Sequence, residues 1–328
     1  MSSSNTDATN TFPTPTVPPV ALESKKTRIG WIGTGVMGAS MAGHIQSKLG
    51  SQYELIVYNR TESKTASLAA AGAKVAKTIE EVAQNADIIF TIVAFPSDVR
   101  STYLGGSSGK GVLDILRPGS IVIDMTTSEP GLAREIATAA AERNIYSLDA
   151  PVSGGDLGAR NGTLSIMVGG AAQAAETVRP LFEAMGKNIT LCGAPGAGQH
   201  TKMVNQILIA SGMIGVCEGL LYAQKAGLDP LTTISAVQAG AAGSWSITNL
   251  GPKIVKRDFA PGFYVEHFIK DLGIAIREAN QMGLALPGLA LAQQLYVATQ
   301  ALGAGREATT ALILAIEAVN GIKPKEQK

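Results

Sequence analysis

The stretch RIGWIGTGVMGASMAGHI, residues 28–45, limits the possible folds of this chain more than any other. An apolar run ends at Gly33, the glycines Gly33, Gly35 and Gly38 follow as G-x-G-x-x-G, and a helical pattern takes over from Val36 to Lys48. A buried strand that turns into a helix through three glycines meets three demands at once. They are a tight turn, close backbone approach to a pyrophosphate, and close helix packing with the helix N-terminus facing the anion. In a chain with 37 glycines the spacing alone is weak, and the strand, loop and helix context gives it meaning. The expectation is a dinucleotide-binding unit with Gly33, Gly35, Met37 and Gly38 as cofactor contacts, against the alternative of a plain turn.

The same alternation continues downstream. ELIVYN, ADIIFTIVA, SIVIDMTT and NIYSLDAPVS read as apolar strands, with helical segments such as GLAREIATAAAERN between them, and TLSIMVGG and NITLCG add two more strands around a helix. Strands alternating with helices imply a doubly wound parallel sheet. After Cys192 helical patterns recur at 200–226, 229–240, 270–283, 287–302 and 308–320 with no convincing strand, and GAPGAG supplies the breakers before them. The expected fold is α/β: a Rossmann-type dinucleotide-binding domain over 27–192 and an all-α substrate and dimerisation domain over 193–328, joined by a long helix that begins near Gly198. Residues 1–26, rich in Ser, Thr and Pro, read as a disordered tail. Ligands of open α/β sheets bind beyond the carboxyl ends of the strands, so the cleft between the domains is the expected site.

Composition excludes several classes. With 27 Lys plus Arg against 26 Asp plus Glu, no global field favours nucleic acid or an anionic membrane. Glu218 and Glu317 interrupt the most apolar stretches before they reach the roughly 20 residues of a membrane span. Cys192 and Cys217 have no zinc-type spacing, so no metal is expected and both read as reduced thiols. The first 26 residues contain no Arg and include Asp7 and Glu23, unlike an organelle presequence, which favours the cytoplasm.

Three polar features carry the chemistry. Where a site for NAD usually ends its second strand with a carboxylate, this chain has Asn59, followed by Arg60, Thr61 and Lys64. A guanidinium can fork onto a 2′-phosphate that a carboxylate would repel, so NADP is the expected cofactor and NAD the less favoured one; the alternative is a solvated helix start. Ser153, Gly154 and Gly155 follow an apolar strand as a turn whose hydroxyl and N–H groups suit an anion, or as an ordinary glycine turn. In GQHTKMVNQ, residues 198–206, Lys202 and Asn205 share a helix face. Lys202 either snorkels to solvent or does chemistry in a pocket. His44 reads as a packed or surface residue behind the glycine loop.

Together these motifs resemble those of the β-hydroxyacid dehydrogenase family over about Lys26 to Ile322, in the family's order: IGWIGTGVMG, DAPVSGGDLGARNGTLSIMVGG, GQHTKMVNQ and KDLGIA. The resemblance implies that Val93, Ala94 and Thr127 line the dinucleotide cleft and that Ser153, Gly154 and Gly155 contact the substrate carboxylate. It also implies that Lys270 reaches the cofactor and Asp271 the active site, in a homodimer or homotetramer. Lys202 is the expected proton donor, with Asn205 holding either its ammonium or the substrate. Gln206, where many members have a second asparagine, resembles the tartronate semialdehyde reductase branch, and YNRT resembles the NADP-preferring reductases. The expected activity is NADP(H)-dependent interconversion of a small semialdehyde or oxo acid and its hydroxy acid. Alternatives are oxidative 3-hydroxyisobutyrate dehydrogenation, an imine reductase, which usually lacks the catalytic lysine, and a non-catalytic NADP-binding scaffold.

Overall fold

The computed structural model of the protein describes residues 12–106, 109–260 and 262–322. The chain divides into two compact units between His200 and Thr201, inside a helix and not in the GAPGAG loop ahead of it.

The first unit has strands β1 (Arg28–Ile32), β2 (Glu54–Tyr58), β3 (Lys74–Val75), β4 (Ile88–Thr91), β5 (Ile121–Asp124), β6 (Tyr146–Asp149), β7 (Val152–Ser153), β8 (Leu164–Gly170) and β9 (Gly186–Gly193). Its helices are α1 (Val36–Leu49), α2 (Ala66–Ala70), α3 (Ile79–Gln84), α4 (Pro96–Leu104), α5 (Pro130–Ala141), α6 (Gly155–Asn161) and α7 (Ala172–Met185). Among the described residues the strands form one nine-stranded sheet in the order β3, β2, β1, β4, β5, β6, β8, with β7 and β9 also paired to β8. Strand order reverses between β1 and β4, which in an open α/β sheet marks the ligand-binding crevice.

Every residue of β4 and β5 is buried, because helices cover both faces of the sheet. Successive side chains point to opposite faces. Trp31, Val57, Phe90 and Ile123 therefore join Met41 of α1 and Phe182 of α7 on one side. Ile32, Ile56, Ile89 and Val122 join Val82, Val99 and Ile136 on the other. Trp31 stacks on Phe90 at 5.2 Å between ring centroids, and Phe90 meets Phe182 edge-on at 6.1 Å.

Strands β1 to β6 are parallel, as the alternation predicts. β8 instead runs antiparallel to β6 and β7. A parallel crossover needs a dozen or more residues, and the connection 154–163 is too short, so the chain doubles back. The longer helix α7 then permits β9 to lie parallel to β8, with two register shifts along the pair.

The segment expected to be a disordered tail departs from that expectation over the residues described. The Thr16 N–H and hydroxyl both donate to Asn144 Oδ1, at 2.8 and 2.7 Å, and Val20 N–H donates to Gly119 O at 2.7 Å. The Tyr146 hydroxyl donates to Val17 O at 2.8 Å, and Val20 and Leu22 pack on the sheet core. A proline-rich run without period looks the same in sequence whether it is free or laid down as an extended strap. Residues 1–11 lie outside the described residues.

The second unit takes over along α8 (Ala197–Lys225) and continues through α9 (Pro230–Val237), α10 (Trp245–Asn249), α11 (Gly251–Val255), α12 (Val265–Gln281), α13 (Pro287–Thr299) and α14 (Leu312–Val319). Among its described residues β structure is limited to an isolated bridge between Tyr264 and Ala308. The core joins Met213 and Cys217 of α8 to Phe268 of α12, Tyr296 of α13 and Leu312 of α14, with Phe268 edge-on to Tyr296 at 4.8 Å. By length and composition α8 is apolar enough to cross a membrane despite Glu218, which corrects the expectation from the sequence; 44% of that stretch is buried inside the protein.

Candidate active site

At the end of β1 the backbone of Gly33 has φ of +97°, and a Cβ there would lie 2.1 Å from the carbonyl oxygen of Ile92, just past β4. Only glycine fits. A Cβ on Gly38 would lie 2.1 Å from Gly33 O, so α1 packs directly on its own loop. Gly35 differs, because a Cβ there meets nothing within 4 Å. The N-terminus of α1 behind it has no side-chain cap and no acidic residue in its first turn, which leaves its leading N–H groups for an anion. The Thr34 hydroxyl is buried with no partner. These features fit a dinucleotide pyrophosphate. Met37 packs its side chain on the core, so its cofactor contact would come through its backbone.

Hydrogen bonds tie the neighbouring strand ends to this loop. Gly33 N–H donates to Tyr58 O at 2.8 Å, and Asn59 Oδ1 accepts from Thr34 N–H at 2.9 Å while Asn59 Nδ2 donates to Thr61 O at 2.9 Å. The Asn59 amide, expected as a cofactor contact, therefore splices two loops. Arg60, Thr61 and Lys64 follow it, all exposed, and Arg60 forms no ion pair among the described residues. Val93 N–H donates to Thr126 Oγ1 at 3.0 Å, which brings the ends of β4 and β5, with Val93, Ala94 and Thr127, onto the same edge.

Ser153 ends β7, and Gly154 and Gly155 follow with φ of +131° and +61°. Nothing lies within 4 Å of a Cβ on Gly155. The helix α6 that starts here is held to α1 by His44, whose Nε2 lies 2.9 Å from Ala159 O and 3.1 Å from Arg160 O. Carbonyls only accept, so Nε2 carries the hydrogen.

In the second unit Lys202, Gln206 and Asp271 are almost fully buried, at 7%, 1% and 1% exposure. Asn205 Nδ2 donates to Gln206 Oε1 at 2.7 Å, Gln206 Nε2 donates to Asp271 Oδ2 at 2.6 Å, and Lys270 Nζ sits 3.0 Å from Asp271 Oδ1. Lys270, expected at the cofactor, is thus paired to Asp271. Burial pulls the Lys202 ammonium down to a pKa of about 8; the Asp271 carboxylate opposes that shift and Lys270 adds to it. Desolvation thus outweighs the partner charge. In the sequence Gln206 stands out only as a departure from the family motif, because its link between Asn205 and Asp271 depends on a partner 65 residues away.

Two family models match the chain: the NAD binding domain of 6-phosphogluconate dehydrogenase over residues 28–193, and the NAD-binding domain of NADP-dependent 3-hydroxyisobutyrate dehydrogenase over 196–316. The chain therefore belongs to the β-hydroxyacid dehydrogenase family of NAD(P)-binding oxidoreductases. It is 54% identical to the probable 3-hydroxyisobutyrate dehydrogenase-like 1, mitochondrial, of Arabidopsis thaliana, covering 92% of this chain and 88% of that one. It is 38% identical to the 2-hydroxy-3-oxopropionate reductase of Escherichia coli strain K12, covering 88% and 97%. A solved structure of Psf3 in complex with NADP+ and 2-OPP matches 88% of this chain and 99% of that one, with a TM-score of 0.80 at 26% identity.

The glycine geometry makes a discriminating test. Gly35→Ala is expected to keep the wild-type Tm, since its methyl enters open space, and to weaken dinucleotide binding about tenfold, the scale of a lost charged contact. Gly33→Ala is expected to cost about 1–3 kcal/mol of stability from backbone strain alone. Calorimetry with NADPH titration reads both, and undiminished binding by Gly35→Ala would remove the phosphate loop from the assignment.

Proposed function

We propose that the protein is an NADP(H)-dependent oxidoreductase that interconverts a small semialdehyde or oxo acid and its hydroxy acid. The observation that carries this reading is Lys202, buried beside Asp271 on a helix where an ammonium has no packing reason to be. Bound nicotinamide supplies the hydride chemistry. Negative charge then grows on the substrate carbonyl oxygen, and Lys202 Nζ delivers a proton to it. Asp271 keeps Lys202 charged against desolvation, and Gln206 holds Asp271 and Asn205 in register. The Ser153 hydroxyl and the N–H groups of Gly154 and Gly155 hold the substrate carboxylate, and Lys270 reaches the cofactor.

Arg60 favours NADP through its unpaired guanidinium beside the glycine loop, and the NADP+ complex of Psf3 and the NADP-dependent family model support the same choice. The E. coli relative's name supports a small oxo acid as substrate, and the Arabidopsis relative's name supports the oxidative alternative on 3-hydroxyisobutyrate. Leu291 and Leu302, each 55% exposed, support a homodimer or homotetramer. The Arabidopsis relative is named mitochondrial, which supports an organelle as the alternative to a cytoplasmic location.

Three measurements test this reading. Succinic semialdehyde should give a kcat/KM far above that of butyraldehyde, and similar values for the two would show that no carboxylate cradle operates at Ser153. Arg60→Ala should raise KM for NADPH about tenfold, as expected for one charge-assisted contact of roughly 1.5–3 kcal/mol, while NADH is unaffected; equal use of both cofactors by the wild type contradicts the NADP reading.

The third concerns Lys202. Reduction needs the ammonium and oxidation the free amine, so with a pKa of about 8 the reductive rate should fall, and the oxidative rate rise, as pH passes through that value. Lys202→Ala should lose at least about a hundredfold in kcat at unchanged NADPH affinity, within the range of positioned acid catalysis. Retained turnover would leave Lys202 a packing residue, and no turnover with any semialdehyde in a wild type that binds NADPH would favour the scaffold alternative.

A further inference from the structure

Gln199, one helical turn before Lys202 on α8, is 0% exposed, and both ends of its side-chain amide are used. Its Oε1 accepts from Ser128 N–H at 2.9 Å and its Nε2 donates to Thr126 O at 2.7 Å. These are the carbonyl before Thr127 and the N–H after it, the pattern in which one residue of a parallel neighbour strand pairs with the residue opposite. A side chain thus completes the backbone pairing of a loop just past the end of β5, where two buried polar groups would otherwise be unsatisfied. The clamp continues in both directions. Thr126 Oγ1 accepts from Val93 N–H at 3.0 Å, and Thr126 N–H donates to Asp124 Oδ1 at 3.0 Å. On the helix side, Gln199 N–H donates to Asp149 Oδ2 and Gly196 N–H to Asp149 Oδ1, both at 2.8 Å.

We infer that Gln199 is a positioning residue that fixes the Thr127 and Val93 backbone against the nicotinamide half of the dinucleotide. The inference rests on the dinucleotide reading of this edge and adds a division of labour within it. The glycine loop and Arg60 serve the phosphate and adenosine half, and Gln199 serves the half that reacts. The chemistry of the clamp requires glutamine. Asparagine is one methylene too short to span both backbone groups, an ionised glutamate has no hydrogen for Thr126 O, and methionine has the length but neither polar atom. Because the same residue lies in the first turn of α8, held by the Asp149 carboxylate, the loop and the helix that carries Lys202 share one fixed point.

The test compares NADPH with 2′,5′-ADP, which lacks the nicotinamide half, on wild type, Gln199→Met and Gln199→Glu. Wild type should bind both, with NADPH the tighter. Gln199→Met should weaken NADPH about tenfold or more and lower kcat by a similar factor, as a small misplacement of a reacting group does, with 2′,5′-ADP binding unchanged. Gln199→Glu, which keeps the acceptor for Ser128 N–H, should recover part of both losses; circular dichroism and Tm identify folded variants, and the glutamate variant carries the test if the methionine one does not fold. Equal weakening of NADPH and 2′,5′-ADP, or no change in either, overturns the positioning role. Wild type that binds neither overturns the dinucleotide reading beneath it.

Discussion

The start of α8 brings backbone N–H groups into a buried region, and Asp149 at the end of β6 accepts from two of them, those of Gly196 just before the helix and Gln199 in its first turn. Burying a carboxylate is costly, and desolvation pushes Asp149 up to a pKa of about 6, but the N–H groups and the positive end of the helix oppose that cost. The fit leaves no slack. A Cβ on Gly198 would lie 2.4 Å from Met167 O and 2.5 Å from Asp149 O, so a glycine is required beside the carboxylate. A helix rises about 1.5 Å per residue, so these bonds set the height and rotation of the first turn of α8 on the sheet of the first unit.

Downstream on the same helix, electrostatics replaces geometry as the controlling influence. Lys202 is deprived of water and partly compensated by Asp271, and that balance brings an amine that ordinarily titrates far above neutrality to about 8. Gln206 carries no charge, yet it connects the half-buried Asn205 to the buried Asp271 and gives Asp271 Oδ2 a donor. Burial alone drives the Lys202 ammonium toward the free amine, and the Asp271 charge opposes it.

The parts of this protein that could be read from sequence are those governed by local pattern. The apolar runs of β1, β2, β4 and β5, the glycine loop and the long periodic helices were all visible, because strand burial and helix amphipathicity leave a signal in consecutive residues. The two-residue strand β3 and the five-residue helices α10 and α11 are too short to show a period. The antiparallel course of β8 followed from a connection length that the α/β alternation concealed. The polar braces could not be read at all: Asp149 meets Gln199 across 50 positions and Gln199 meets Thr126 across 73, and nothing in either neighbourhood announces the other. The proline-rich segment before β1 carried a compositional signal for disorder, while its hydrogen bonds to Asn144, Gly119 and Tyr146 depend on residues more than 90 positions away.

The course of β8 also bears on how the chain avoids aggregating. A sheet of nine strands ends in two edges, and an exposed edge is a template on which another chain can add a strand. One edge here is β3, only two residues long and beginning with Lys74, which offers too few backbone groups to seed such growth. The other is β9, eight residues long and mostly accessible, yet it meets β8 through two register shifts and has Lys187 near its start and a glycine at each end. Irregular pairing twists a ladder away from the flat geometry that stacking of identical strands needs. Protection against intermolecular β-pairing is thus built into the irregular edge strand β9, which the reversed strand β8 carries.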